Sequence, residues 1–428
     1  MDKFDQKLSS LLDWIKNTQD EKKPSTHSYI SPKIDVKDAR SSGRGIYATN
    51  SLKKGELIMN IPHSFLLNFT TVMAHISRYN GMQDESHIYV PFDNSDGDQF
   101  TNIYSKLTRE EILELSSFQL LSIYLTFEKQ RGTNSFWKPF LDMLPSMEDF
   151  ALMPIHWSDE TCKLAPDSTQ KSSLKVRDRF ENDYKLICDL IQTKTDLDVT
   201  TLLPRQDVLL SWLCINSRCL YMNLPTSKNT ADNFTMAPYV DFMNHSCDDH
   251  CTLKIDGKGF QVSSTCSYNI DDQVYLSYGP HSNDFLLCEY GFIIPGNKWN
   301  DLDISKYIIP LLKPEQVEFL QENDYFDNYT MTKDDISFRT QVALATLQEK
   351  DPKNSRKLSA LINGINDGEV FRSHSNVLLT AILNKVVLDA EAHQYLEYDA
   401  DPVKKTIGAL YHDRLVIAKS VLSFIKED

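Results

Sequence analysis

Long apolar runs are missing from this 428-residue chain, and none approaches the roughly 20 residues that a membrane-spanning helix needs. The N-terminus, Met1-Asp2-Lys3-Phe4-Asp5, lacks the apolar core of a secretory signal. Cysteine is sparse: eight residues are scattered with no disulfide framework, so reduced thiols in a cytoplasmic and/or nuclear protein are expected. Positive charge is also short, with 45 Lys and Arg against 60 Asp and Glu, a formal net charge of -15. That balance argues against direct nucleic-acid binding, which needs cationic surface to displace counterions. It favours a basic protein partner, because an acidic surface steers cations. The acids cluster at Gln83–Gln99 (Asp84, Glu85, Asp93, Asp96, Asp98) and at Glu315–Asp335, where Lys333 is the one cation. Each cluster reads equally as a solvated face or as a substrate-steering face.

What is present is an ordinary globular composition, 41% hydrophobic and 11% aromatic, in a chain long enough for two or three domains. Phe4, Leu8, Leu11, Leu12 and Ile15 recur at helical spacing over 2–17, and the polar Glu21–Ser31, with Pro24 inside it and Pro32 just after it, reads as a linker. Strand patterns follow from Ile34 to Ile61, notably Ile46-Tyr47-Ala48 and Leu57–Ile61. Thr108 and Glu111 form a capping-box signature ahead of one predicted helix through Ile112, Leu115, Leu120 and Phe127. Further helices are predicted at Leu174–Lys194 and from Pro204, as a first-turn proline, towards Tyr221. Strands return at Thr252–Ile255 and Phe260–Ser263, joined by Asp256-Gly257-Lys258-Gly259, and at Gln273–Leu276. From about Asn297 onward the pattern is helical, over Phe338–Gln348, Val370–Tyr395 and Lys404–Ile425.

Asp241-Phe242-Met243-Asn244-His245-Ser246-Cys247, then Ser277-Tyr278-Gly279 and Tyr290-Gly291-Phe292, are the chemically informative segments. They form no phosphate loop and no hydrolase triad. His245, Cys247, His250 and Cys251 lack the two-plus-two spacing of a structural zinc site, so no metal is expected. Read alone, Asn244-His245 is a cofactor clamp or a helix-capping turn, Arg218 is a ligand or a helix-end cation, and Tyr278, Tyr290 and Phe292 are site or core aromatics. Gly43 and Gly45 either let backbone approach a ligand or make a plain turn.

Four segments in order resemble the SET-domain protein methyltransferases, in particular the Rubisco large-subunit methyltransferase-like branch. They are Gly43-Arg44-Gly45-Ile46-Tyr47-Ala48, Asn216–Tyr221, Asp241–Cys247, and Tyr278–Asn283 with Tyr290-Gly291-Phe292. No cysteine-rich segment follows Tyr278, and Asp241 replaces the arginine of many SET proteins, both of which favour that branch. The resemblance implies an α+β fold: a β-rich SET core that threads a segment through a loop, a helical insert, and a C-terminal all-α substrate-binding domain. On this basis 1–27 is a helix and linker, 28–296 the SET domain with its insert at about 100–236, and 297–428 the C-terminal domain.

The resemblance further implies S-adenosylmethionine as cofactor, held by Ser42, Gly43, Arg44, Arg218, Asn244, His245 and Tyr278. Tyr278 is the expected catalytic residue, and Asp241, Tyr290 and Phe292 are expected to line a substrate channel. The implied reaction is methylation of a lysine in a soluble, basic ribosomal or translation protein by a monomeric enzyme. Histidine as the acceptor, or a non-catalytic binding module, are the alternatives.

Overall fold

The computed structural model describes residues 3–17, 28–39, 43–82, 97–221, 234–256 and 259–427. Candidate Ser42, most of the predicted linker, the acidic stretch 83–96 and the hairpin tip Gly257-Lys258 lie outside the described residues. Two compact units result: Met1–Ala151 with Lys175–Gly279, and Leu152–Leu174 with Pro280–Asp428. Among the described residues no helix is long and apolar enough to cross a membrane.

The first unit is built on small sheets. Tyr29–Ile30, Leu57–Ile61, Gly259–Ser264 and Cys251–Asp256 form four antiparallel strands in that order. Phe260 and Val262 alternate into the core at period two, while Ile58, Met59 and Ile61 are buried opposite them. Gly259 is required here: at φ +130° an added Cβ would meet the Ile61 carbonyl oxygen at 2.2 Å. Ile34–Ala39 pairs with Gly43–Ala48 from Ile34 opposite Ala48 to Ala39 opposite Gly43. Leu67–Asn68, Phe234–Met236 and Cys219–Tyr221 make the third sheet.

Helices fill out this unit. The first, Lys3–Asn17, buries Leu11 and Ile15 and sets Trp14 edge-on to Phe65 at 4.7 Å. The single helix predicted after Thr108 is in fact two. Thr108 and Glu111 do form a capping box, but Arg109–Glu114 stops as Leu115 turns extended. Ser116 and Gln119 then form a second capping box that starts Ser117–Arg131. That second helix is buried on every side, which is why Glu128 and Arg131 within it are paired, at 2.8 Å. Pro204 stands at the N-cap of Arg205–Arg218, one position before the first helical residue. The helix does not reach Tyr221, because Cys219 turns extended to pair with Met236.

The second unit is mainly helical, with Glu369–His393 and Pro402–Glu427 as its longest whole helices. One core cluster gathers Leu302, Ile308, Leu344, Leu361, Leu383 and Val421. Another gathers Trp157, Ala165, Leu287, Ile407, Leu410 and Leu415. The contact boundary therefore differs from the sequence-based one at 296/297. Trp157 and Ala165, inside the predicted insert, and Leu287, inside the predicted SET span, are apolar and bury with the C-terminal helices. Gly408 permits the last helix to touch the Gln394–Tyr398 turn, since an added Cβ would lie 2.2 Å from the Glu397 nitrogen.

A buried polar network ties this unit. Asp284 accepts from Ser168 at 2.7 Å and from Thr169, and Arg414 donates to Ser168 at 2.8 Å. Asn283 donates to Asp413 and to the Ile294 carbonyl. Burial, and then the like charges of Asp284 and Asp303, push the Asp301 carboxyl up to about 6.

Candidate active site

Three of the sequence motifs meet as backbone in the first unit. Val274 donates to the Ile46 carbonyl at 2.8 Å, and Ala48 donates to that of Asp272 at 2.9 Å. Two residues later the partner changes: Leu276 donates to the Asn244 carbonyl at 2.9 Å and accepts from Ser246 at 3.0 Å. The strand predicted at Gln273–Leu276 is for this reason two isolated bridges, Tyr47 with Gln273 and His245 with Leu276. It changes partner before a continuous ladder can form. The Asp241–Cys247 segment enters through the short turn Val240–Phe242, whose flanking Tyr239 has a left-handed φ of 71° and is buried with Phe242.

His245 and Tyr278 are locked together. The Tyr278 amide donates to His245 Nδ1 at 3.0 Å, and the rings stack with centroids 5.0 Å apart at 27°. An accepting Nδ1 assigns the neutral ring's proton to Nε2. The Tyr278 hydroxyl donates to the Met243 carbonyl at 2.7 Å. Its single proton is thereby committed, so towards any further group the phenol oxygen acts as an acceptor.

Arg218 and Asp241 form a pair beside this arrangement. Arg218, the last residue of its helix, donates to the Asp241 carbonyl at 2.8 Å and to its Oδ2 at 3.3 Å. The Asp241 side chain is 1% exposed, and its Oδ1 has no hydrogen-bond partner among the described residues. Burial pushes this carboxyl above its ordinary range, opposed by Arg218 and, more weakly, by Arg44. Arg44 also donates to the Met143 carbonyl at 3.1 Å and sits 5.8 Å from the Phe4 ring.

The two glycines differ in purpose. Gly43 has φ +64°, a left-handed backbone that favours glycine, and a Cβ there would meet nothing within 4 Å among the described residues. A Cβ on Gly45 would lie 2.2 Å from Gln273 Nε2 and 2.8 Å from Asn244 Nδ2. The Asn244 amide in turn donates to the Arg44 carbonyl at 3.1 Å. Gln273, which no sequence motif marks, is thus part of the site, as is the main-chain carbonyl of Met243 within the Asp241–Cys247 segment. The second glycine of Gly43-Arg44-Gly45 was the available signal for Gln273. A backbone carbonyl leaves no signal at all.

The structure therefore gathers Arg44, Gly45, Arg218, Asp241, Asn244, His245 and Tyr278 in one unit. Tyr290 and Phe292 belong to the second unit, their rings 6.2 Å apart, with Gly291 between them closing the helix Asn283–Tyr290 at φ 83°. His250 lies 3.5 Å from the Cys266 sulfur. Among the described residues no group of three or more His, Cys, Asp or Glu could hold a metal ion, and all eight cysteines are free thiols.

These features suit a compact zwitterionic cofactor that carries a sulfonium. There is a buried carboxylate oxygen without a hydrogen-bond partner among the described residues, two guanidinium groups near that carboxylate, and an accepting phenol oxygen.

Comparison with known proteins agrees. The SET domain family matches residues 43–279, and the ribosomal lysine N-methyltransferase 2 C-terminal domain matches 300–424. The chain is 32% identical to ribosomal lysine N-methyltransferase 2 of Saccharomyces cerevisiae, over 88% of this chain and 89% of that one. It is 26% identical to ribosomal lysine N-methyltransferase set11 of Schizosaccharomyces pombe, over 90% and 89%. Its fold is similar to the crystal structure of the SET domain of LSMT bound to lysine and AdoHcy. The TM-score is 0.62 at 15% identity, covering 98% of this chain and 91% of that one. The chain belongs to the SET-domain family of protein-lysine N-methyltransferases, which use S-adenosylmethionine.

Proposed function

We propose that this protein transfers a methyl group from S-adenosylmethionine to the ε-amine of a lysine in a ribosomal protein, in the cytoplasm or nucleus. The observation that carries the reading is the coupling of Asn244-His245 to Tyr278, with the tyrosine hydroxyl fixed on the Met243 carbonyl. Arg44, Arg218 and Asn244, with the Gly43 backbone, are the residues that would hold the cofactor.

When bound, S-adenosylmethionine supplies an electrophilic methyl group on a cationic sulfur. Displacement at that carbon needs alignment and charge placement more than covalent help. The Tyr278 oxygen and nearby carbonyls are acceptors that can hold polarised C–H groups by weak contacts. Tyr278 aligns the amine and does not remove its proton. The attacking lysine must be neutral, which costs about 4–5 kcal/mol at pH 7 from an ordinary pKa near 10.4. Burial and a neighbouring positive charge lower that cost. Tyr290 and Phe292 are the proposed aromatic walls for the lysine, a surface that also suits a methylated ammonium. Asp241, paired to Arg218, would act on the channel through that arginine.

The helical region from 297 is the proposed holder of the protein substrate, which is basic and meets a monomeric enzyme of net charge -15. The test is to incubate the enzyme and methyl-labelled S-adenosylmethionine with total ribosomal protein from cells lacking it. Label recovered as methyl-lysine after acid hydrolysis supports the reading. Label in methyl-histidine, or none, overturns it.

A further inference from the structure

The second unit contains a groove of about 310 Å³ that the methyl-transfer chemistry does not use. Its floor is apolar: Leu344, Phe371 and Leu379, each at most 5% exposed, with the half-buried Phe424. Its rim is acidic. Asp334 and Asp335 come from the turn before the helix Phe338–Leu347, and Asp367 from the turn after Arg356–Ile362. All three are exposed. Arg372 lies 3.4 Å from Asp367 and Lys333 3.9 Å from Asp334, Asp335 belongs to neither pair, and Lys419 and Lys426 stand on the helix that supplies Phe424.

Apolar surface continues beyond the groove. Ile365, in the turn between lining residues Leu361 and Gly368, is 77% exposed. Val377, next to lining residue Asn376, is 66% exposed. Adjoining an apolar floor, they widen the apolar surface a docked segment can cover.

A concave apolar floor of this size takes one or two aliphatic or aromatic side chains, the usual anchors of a docked segment. An acidic rim selects cationic neighbours of that anchor and repels acidic ones. Ribosomal proteins meet both demands, because they neutralise RNA phosphate with dense Lys and Arg. We propose that this groove docks a segment of the ribosomal-protein substrate in which an aliphatic or aromatic side chain is flanked by lysine or arginine. The inference rests on the function proposed above, and it adds where the substrate is gripped and by what chemistry.

The test uses the full-length enzyme, total ribosomal protein from cells lacking it, and a short synthetic peptide around the lysine that becomes labelled. The charge variant Asp334→Lys/Asp335→Lys alters exposed side chains only. A second variant, Asn376→Trp, fills the groove without changing its charge. Both should raise KM for the ribosomal protein about tenfold at low salt. Both should leave kcat, S-adenosylmethionine binding and methylation of the short peptide within twofold of wild type. The charge variant's defect should shrink as salt rises, while that of Asn376→Trp should not.

An unchanged KM overturns the docking site while leaving the methyltransferase reading intact. A fall in kcat, or an equal loss on the short peptide, overturns it in favour of a structural role. A groove-dependent shift to dimers in light scattering assigns the groove to a second copy and overturns it too. Absence of labelling by wild type removes the functional reading and this inference with it.

Discussion

Replacing Arg218 by methionine keeps most of the side-chain length but leaves Asp241 buried without its cation. The Asp241 side chain is 1% exposed and Arg218 25% exposed, so the pair is desolvated mainly on the acid's side. Breaking a buried ion pair from one side costs about 3–5 kcal/mol, and partial exposure of the arginine puts this case near 3. The loss should depend on pH. Burial already raises the folded-state pKa of Asp241 above its ordinary value. A carboxyl raised in this way favours the folded state when protonated, and that stability fades as pH climbs through the raised pKa. Without Arg218 the folded pKa rises further and the penalty at neutral pH grows. Below the unfolded carboxyl's pKa, near 3.9, Asp241 is neutral in both states. Only the lost bond to the Asp241 carbonyl, about 1 kcal/mol, then separates variant from wild type. For a unit of this size, about 3 kcal/mol is roughly 6–12 °C in Tm. Calorimetry at pH 7 and near pH 4 should show the gap narrowing on acidification, and Arg218→Met/Asp241→Asn should recover most of the neutral-pH loss. An equal drop at both pH values, or no recovery in the double variant, would refute the claim that the buried charge governs this pair.

Other substitutions perturb separate contacts. Tyr278→Phe should lower kcat by at least about 100-fold, as expected when one positioned polar group is lost at the reacting centre. Calorimetric titration should still show S-adenosylmethionine bound within a few-fold. Gly45→Ala should cost about 1–3 kcal/mol through overpacking against Gln273 and Asn244. It should also weaken cofactor binding, since Asn244 must move, and thermal unfolding with the same titration reads both effects. Asp301, pushed up to about 6, withdraws stability as pH rises from about 4 to 6. Asp301→Asn should therefore raise Tm of the second unit at pH 7 and change it little near pH 4, with about 3 kcal/mol as the upper scale.

Several local features were legible in the amino-acid pattern. Leu57–Ile61 is the predicted strand, the helices after Phe338 and Glu369 lie near their predicted bounds, and the Thr108 capping box exists. These signals are local: side-chain period and hydrogen bonds three residues apart. The break at Leu115 was hidden because Ser116 and Gln119 start a new helix whose apolar spacing continues the old one. The Gln273–Leu276 segment was misread because its two sides bond to chain 200 and more residues upstream and then to chain about 30 residues upstream. Such a change of partner has no pattern of its own. Arg44, Gly45, Arg218, Asp241, Asn244, His245 and Tyr278 stand in the ordered motifs, and the fold brings them into one unit. The pairing of Arg218 with Asp241 and the pressing of Gln273 on Gly45 were not legible, since both depend on long-range contacts.

The most direct test of the central claim is site-resolved mass spectrometry of ribosomal proteins from three matched strains, differing only in this gene product: present, absent, or carrying Tyr278→Phe. The expected result is a methyl-lysine present with the wild-type protein and missing from both other strains. The same methyl-lysines in all three strains, or a lost mark that maps to histidine, would contradict it.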